Sequence, residues 1–222
     1  MLEIGKESAP FALQAFEQTA GKGQQDSKWE AEAGKNLTIT LAAEGNKQEA
    51  QWQAFWNMHV CSSLADWLNE YLGMTGFFQV KWPNDVYAAN KKVAGILIRN
   101  QLSGYFIETS LVGIGLNVNQ TTFSAEKAVS LYHLTKKTFD LETLLKSWLR
   151  HFQPSIPDLT LHKQAIKDNY LKHLYLLQEN HWFQNLEGQK FAGRIADVDE
   201  QGNLVVETAN GIRKFANKEI IY

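Results

Sequence analysis

Between Gln51 and Leu72 the apolar residues keep a three- to four-residue spacing. Trp52, Phe55, Trp56, Val60, Leu64, Trp67, Leu68 and Tyr71 share a face with His59 and Ser63. That period predicts an amphipathic helix facing the core, with Gly73 as its stop. Phe11 to Glu17 is apolar enough for a buried strand, and Asn36 to Ala42 alternates as a β-branched strand does. Between them, Ala20 to Trp29 is polar and glycine-punctuated and reads as an exposed loop. A short strand is expected over Phe77 to Lys81, stopped by Trp82-Pro83. Two strands follow over Val86 to Ile98 around the turn Ala89-Asn90-Lys91, and a long apolar strand over Tyr105 to Val118. Strands in succession without a helix between them pair antiparallel. Asp140 can cap a helix that shows Leu141, Leu144, Leu145, Trp148, Leu149 and Phe152 on one face and ends at Pro154 and Pro157. Leu161 to Leu176 forms another. After that the pattern changes to short alternating hairpins with turns at Gln201-Gly202-Asn203 and Ala209-Asn210-Gly211. The expected fold class is α+β: a mixed, largely antiparallel sheet flanked by helices over residues 1–177, then a small β-barrel over 178–222.

Composition narrows the function. A chain of 222 residues suits one sizeable domain and a small one. With 44% hydrophobic and 21% charged residues, disorder is excluded. A net charge of −2 leaves no basic field to draw nucleic acid or a membrane surface. Cys61, the single cysteine, has no intramolecular disulfide partner, which fits a reducing compartment such as the cytoplasm. It reads as a small packing residue, and His59 as a structural histidine on the helix stripe. The remaining histidines lack metal-ligand spacing. No apolar run is long enough to span a bilayer, and the N-terminus lacks the pattern of a secretion signal.

Three segments carry candidate chemistry. In the first, Gly21 and Gly23 flank Lys22 in a run that continues through Gln24 to Trp29. Residues without Cβ let backbone N–H groups approach an anion, and Lys22 adds charge, although the same run also reads as a solvated turn. In the second, Lys81-Trp82-Pro83-Asn84-Asp85, the proline restricts the chain and gathers Lys81, Asn84 and Asp85. The lysine can neutralise a phosphate and the carboxylate can orient an amine; a surface turn with a local ion pair is the alternative. In the third, Lys92-Val-Ala-Gly95 precedes Gly113-Ile114-Gly115-Leu-Asn117-Val-Asn119. Glycines inside a strand mark close approach of a ligand, or else of a crowding backbone.

Taken in order, Q-x-x-G-K-G…W, K-W-P-N-D, K-x-x-G-I-L and G-x-G-x-N-V-N resemble the catalytic domain of biotin–protein ligases, from Phe11 to Ile221 with the C-terminal barrel included. The resemblance implies a fold like that of class II synthetases and biotin–lipoate ligases, with an SH3-like barrel. It implies ATP-dependent activation of biotin, with Mg²⁺, to biotinyl-5′-AMP and transfer to a lysine of a biotin carboxyl carrier domain. Lys81, Asp85 and Lys92 take the catalytic places. Gln18, Gly21, Lys22, Gly23, Gln24, Lys92, Gly95, Gly113 and Ile114 match biotin-site positions. Lys22, Gln24, Trp29, Lys81, Asn84, Lys92 and Asn117 match ATP-site positions. Asp85 is the candidate to orient the carrier amine or receive its proton.

The chain departs from the family in two places. Gln24 stands where arginine is common, so adenylate retention is expected to fall about 10- to 100-fold unless Lys22 or Lys28 compensates. The family's Ser/Thr-Asn biotin motif lies well before the match to Gln18, which here is close to Met1. The polypeptide is therefore expected to begin upstream; otherwise its first strand and helix are missing and biotin affinity suffers. The family's repressors carry an N-terminal winged helix-turn-helix for which there is no room here, so no DNA binding is expected. The resemblance allows either a monomer or a homodimer. A lipoate or octanoate transferase, and a biotin-binding module without turnover, are the rival functions.

Overall fold

The structure, a computed structural model, describes residues 9–21, 23, 29–152 and 156–222. The chain divides into two compact units. The first is Met1–Ala50 with Ala88–Leu159, and the second is Gln51–Tyr87 with Thr160–Tyr222. Neither unit is a continuous stretch of sequence.

The first unit is built on strands β1 (Phe11–Ala15), β2 (Leu37–Glu44), β5 (Lys91–Ser103) and β6 (Phe106–Leu116), in the order β1-β2-β6-β5 and antiparallel throughout. One face of β6 carries Val112, Ile114 and Leu116, all buried, as are Ile39 on β2 and Ile96 on β5. Each such side chain contributes about 1.5–3 kcal/mol when fully buried. Gly113 and Gly115 lie on the opposite face, because side chains alternate along a strand. Helix α2 (Leu131–Thr135) starts at Ser130, whose Oγ accepts from His133 N at 3.2 Å. Helix α3 (Leu141–His151) starts at Asp140, whose Oδ1 accepts from Thr143 N at 2.8 Å. Pro154 lies outside the described residues. β1 is not the buried strand its composition predicts. It pairs with β2 alone and its middle three residues are exposed, since an edge strand has a neighbour on one side only.

The second unit holds helix α1 (Gln53–Leu72), the hairpin of β3 (Gln79–Lys81) and β4 (Asp85–Ala88), helix α4 (Leu159–His173) and five C-terminal strands. Helix α1 ends as expected at Gly73, with φ of 63°. Its burial is wider than one stripe: Val60, Cys61 and Ser62 are consecutive and all buried. The C-terminal strands are β7 (Asn180–Asn185), β8 (Lys190–Val198), β9 (Leu204–Thr208), β10 (Gly211–Phe215) and β11 (Ile220–Ile221). They form an antiparallel sheet in the order β10-β9-β8-β7-β11. The hairpins and both turns are where the sequence puts them, and the small C-terminal β-unit is a five-stranded sheet in which no pairing between β10 and β11 is seen among the described residues. No helix among the described residues is long and apolar enough to cross a membrane.

Candidate active site

In the first unit the glycine motifs converge on one sheet face. Gly95 on β5 and Gly115 on β6 are directly opposed partners. Two missing Cβ atoms side by side leave a shallow floor, and the Trp29 ring lies on it. A Cβ on Gly115 would stand 2.3 Å from the Trp29 ring, and one on Gly95 would stand 3.2 Å from it. Lys92 curls over the same floor: its Nζ would be 3.1 Å from a Gly95 Cβ and is 5.6 Å from the centre of the Trp29 ring. The Trp29 indole N–H is buried and has no hydrogen-bond partner among the described residues. Gly113 is different. A Cβ there meets only ordinary contacts, the nearest being Leu97 O at 3.4 Å, so backbone crowding does not explain this glycine. Ile114 lies between the two glycines and is buried on the other face; only its main chain borders the floor.

The loop before Trp29 is closed at its neck. Trp29 N donates to Gly21 O at 3.0 Å. A Cβ on Gly21 would stand 2.4 Å from Trp29 O and 2.9 Å from Gln18 Oε1, so Gln18 is part of the same neck and only glycine fits. Gly23 is half-buried. Lys22 and Gln24, named with them from the sequence, lie outside the described residues.

The two asparagines after β6 separate into two roles. Asn119 is braced on Phe139: its Nδ2 donates to Phe139 O at 2.8 Å and its Oδ1 accepts from Phe139 N at 2.9 Å. Asn117 donates from Nδ2 to Val129 O at 3.1 Å, while its buried Oδ1 has no partner among the described residues. A buried, unmatched acceptor is costly unless a donor from a ligand meets it.

In the second unit, Lys81-Trp82-Pro83-Asn84-Asp85 forms the turn between β3 and β4, with Lys81 and Asp85 opposed across the hairpin. The Trp82–Pro83 peptide is cis. Lys81 Nζ donates to Tyr222 O at 2.8 Å and lies 4.6 Å and 5.2 Å from the ring centres of Tyr222 and Tyr87. Cation–π attraction of this kind anchors an ammonium without neutralising it. Burial first, and then the charge of Asp85, push the Tyr87 hydroxyl up to about 12; burial first, then Tyr87 and after it Asp85, push the Tyr222 hydroxyl well above the usual phenol range. Both therefore keep their protons at neutral pH. Asn84 is buried. Tyr87 and Tyr222 escaped the sequence reading. Tyr87 is two residues past the motif and detectable by strand alternation, whereas Tyr222 reaches Lys81 only through the fold.

The sequence profile of the biotin/lipoate A/B protein ligase family matches residues 6–117, and that of the biotin protein ligase C-terminal domain matches residues 185–217. The chain is 26% identical to the bifunctional ligase/repressor BirA of Bacillus subtilis over 228 aligned residues, covering 98% of this chain and 68% of that one. It is 35% identical to the biotin–[acetyl-CoA-carboxylase] ligase of Paracoccus denitrificans over 105 residues, 47% of this chain and 42% of that one. Among solved structures, the biotin protein ligase of Aquifex aeolicus in complex with biotin and ATP superposes with a TM-score of 0.77 at 27% identity, covering 98% of this chain and 90% of that one.

Proposed function

Since the chain belongs to the biotin/lipoate A/B protein ligase family, we propose that it activates biotin with ATP and transfers the biotinyl group to a lysine of a biotin carboxyl carrier domain. The reading rests chiefly on the glycine floor of Gly95 and Gly115, with the Trp29 ring above it and the Lys92 ammonium at its side. An apolar, flat-walled recess with one cation suits a small acid whose body is apolar and whose carboxylate must be brought to a phosphate.

The first half-reaction joins two anions. A carboxylate oxygen of biotin attacks the α-phosphorus of ATP, the bond to the bridging oxygen breaks, and pyrophosphate leaves with the electron pair. Lys92 offsets the charge of the carboxylate and α-phosphate, and Lys81 that of the leaving phosphates. Asn117, through its unmatched Oδ1, accepts from the nucleotide. Among the described residues no group of three or more His, Cys, Asp or Glu side chains is arranged to hold a metal. Mg²⁺ would arrive on the phosphates of ATP and offset their charge. In the second half-reaction the carrier amine attacks the acyl carbon of biotinyl-5′-AMP, the mixed anhydride breaks, and AMP leaves. Asp85 orients the amine and takes its proton. The catalytic part is residues 1–177, and 178–222 form a C-terminal domain. The enzyme works in the cytoplasm.

Biotin-dependent exchange of pyrophosphate into ATP tests the proposal. Exchange is expected with biotin and not with lipoate. Exchange with lipoate alone, or with neither, would overturn it.

A further inference from the structure

The Pro83 carbonyl is held by side chains from two helices. Asn57 Nδ2, on helix α1, donates to it at 2.9 Å. The Tyr170 hydroxyl, on helix α4, donates to it at 3.3 Å. The Cys61 thiol lies 4.0 Å from the same oxygen and 3.8 Å from Asn57 Oδ1. Asn57 is thereby oriented, its oxygen toward the thiol and its amide toward Pro83. Cys61 and Tyr170 are fully buried groups whose acidities burial weakens, so both keep the protons they donate. One residue earlier, Trp82 Nε1 donates to Gly202 O at 2.9 Å, and the Tyr222 hydroxyl lies 3.5 Å from Trp82 O. A carbonyl has two lone pairs. Asn57 and Tyr170 occupy both on this one, immediately before Asn84 and Asp85, with the Cys61 thiol beside them.

We propose that Asn57, seconded by Tyr170, is a positioning residue for the transfer reaction, holding the Pro83 carbonyl so that the turn presents Asn84 and Asp85 in one geometry. The proposal rests on the ligase reading and on the role given there to Asp85. Donors from two helices lock the main chain from different directions. Removing the nearer one frees the turn to rotate, while the apolar packing of α1 stays in place.

The test measures biotin transfer from preformed biotinyl-5′-AMP to an isolated biotin carboxyl carrier domain, with the full chain. Native protein is compared with Asn57→Ala, Asn57→Asp, Asp85→Asn and the Asn57→Ala/Asp85→Asn double variant. Asn57→Ala is expected to lower kcat of transfer about tenfold with KM for the carrier unchanged within about twofold. Asn57→Asp keeps the shape but cannot donate to a carbonyl, and is expected to fall at least as far. The double variant is expected to transfer no more slowly than Asp85→Asn, because the loss acts through Asp85. Multiplicative losses in the double variant, or a lowered melting temperature with kcat intact, would overturn the proposal. Should Asn57→Ala fail to fold, Tyr170→Phe removes only a hydroxyl and should give a smaller loss of kcat with the same non-additivity; unchanged kcat would then count against it. Exchange of pyrophosphate by the native chain is measured first, so that failure of the ligase reading is recognised separately.

Discussion

Gly113 and Gly115 stand two residues apart on one strand face and look equivalent in the sequence. The structure separates them. Gly115 is fixed by the Trp29 ring, and any added methyl must displace that ring. Gly113 has room for a methyl, its nearest contact being at 3.4 Å. Crowding within the fold therefore does not account for its lack of a side chain, and the proposed biotin site would. Gly113→Ala should leave stability unchanged or raise it by up to about 1 kcal/mol, since glycine is a poor strand residue. It should weaken biotin binding about tenfold, or about 1.4 kcal/mol. Titration calorimetry with biotin beside a urea melt checks both. Full affinity in Gly113→Ala would remove this residue from the biotin site. Gly115→Ala cannot make the distinction, because a displaced Trp29 would alter both readings.

At the scale of elements, one residue ties the end of α1 to the start of β3. Asn69 Oδ1 accepts from Phe77 N and Phe78 N, each at 3.0 Å, and its Nδ2 donates to Phe78 O at 3.0 Å. The site is buried, so truncation strands main-chain groups away from water. Asn69→Ala should cost about 2–4 kcal/mol, at about 1–3 per buried group left unpaired. The midpoint of urea unfolding should drop with its slope unchanged. A loss under about 0.5 kcal/mol would show that water replaces the amide. Nothing in the apolar pattern marked Asn69, which sits among buried helix residues as the polar exception. Periodicity found α1, α3, α4 and the β5 and β6 strands because those elements are long enough to show it. It missed α2, whose five residues rest on the Ser130 cap. It read β1 as buried because composition records apolar content but not which strand lies at the edge. The candidate site was legible where its residues are adjacent, as in the turn from Lys81 to Asp85, whereas the pairing of Gly95 with Gly115 depends on the strand register. The contacts of Lys81 with Tyr222 and of Asn57 with Pro83 join residues far apart in sequence, and no local pattern announces them.

At the scale of the whole molecule, the perturbed groups set how stability responds to acid. His59 is held below its usual 6.5, mainly by burial and secondly by the charge of His162. Below that pH the unfolded chain takes up a proton that the folded chain resists, so stability falls as the pH drops through about 6.5. Asp66 is lowered from 3.8: burial raises it, but His173 Nε2 at 2.7 Å and Asn169 Nδ2 at 2.7 Å, with nearby positive charge, outweigh that. Asp199 is lowered likewise, burial being outweighed by Lys214 Nζ at 3.0 Å and Asn203 N at 2.9 Å. A lowered carboxylate contributes stability above its unfolded value and loses it as the pH falls through the folded one, here below 3.8. The melting temperature should therefore be level above about pH 6.5, decline gently below it as His59 resists protonation, and drop again below about pH 4. His59→Gln should abolish the first decline and leave the second. Asp66→Asn should lower the plateau by about 1 kcal/mol, a modest figure because the carboxylate is partly exposed and solvent screens it. Its deficit should close as the pH passes below 3.8. Calorimetric melts of the three proteins across this range would decide it, and a first decline that survives in His59→Gln would assign that step to another group.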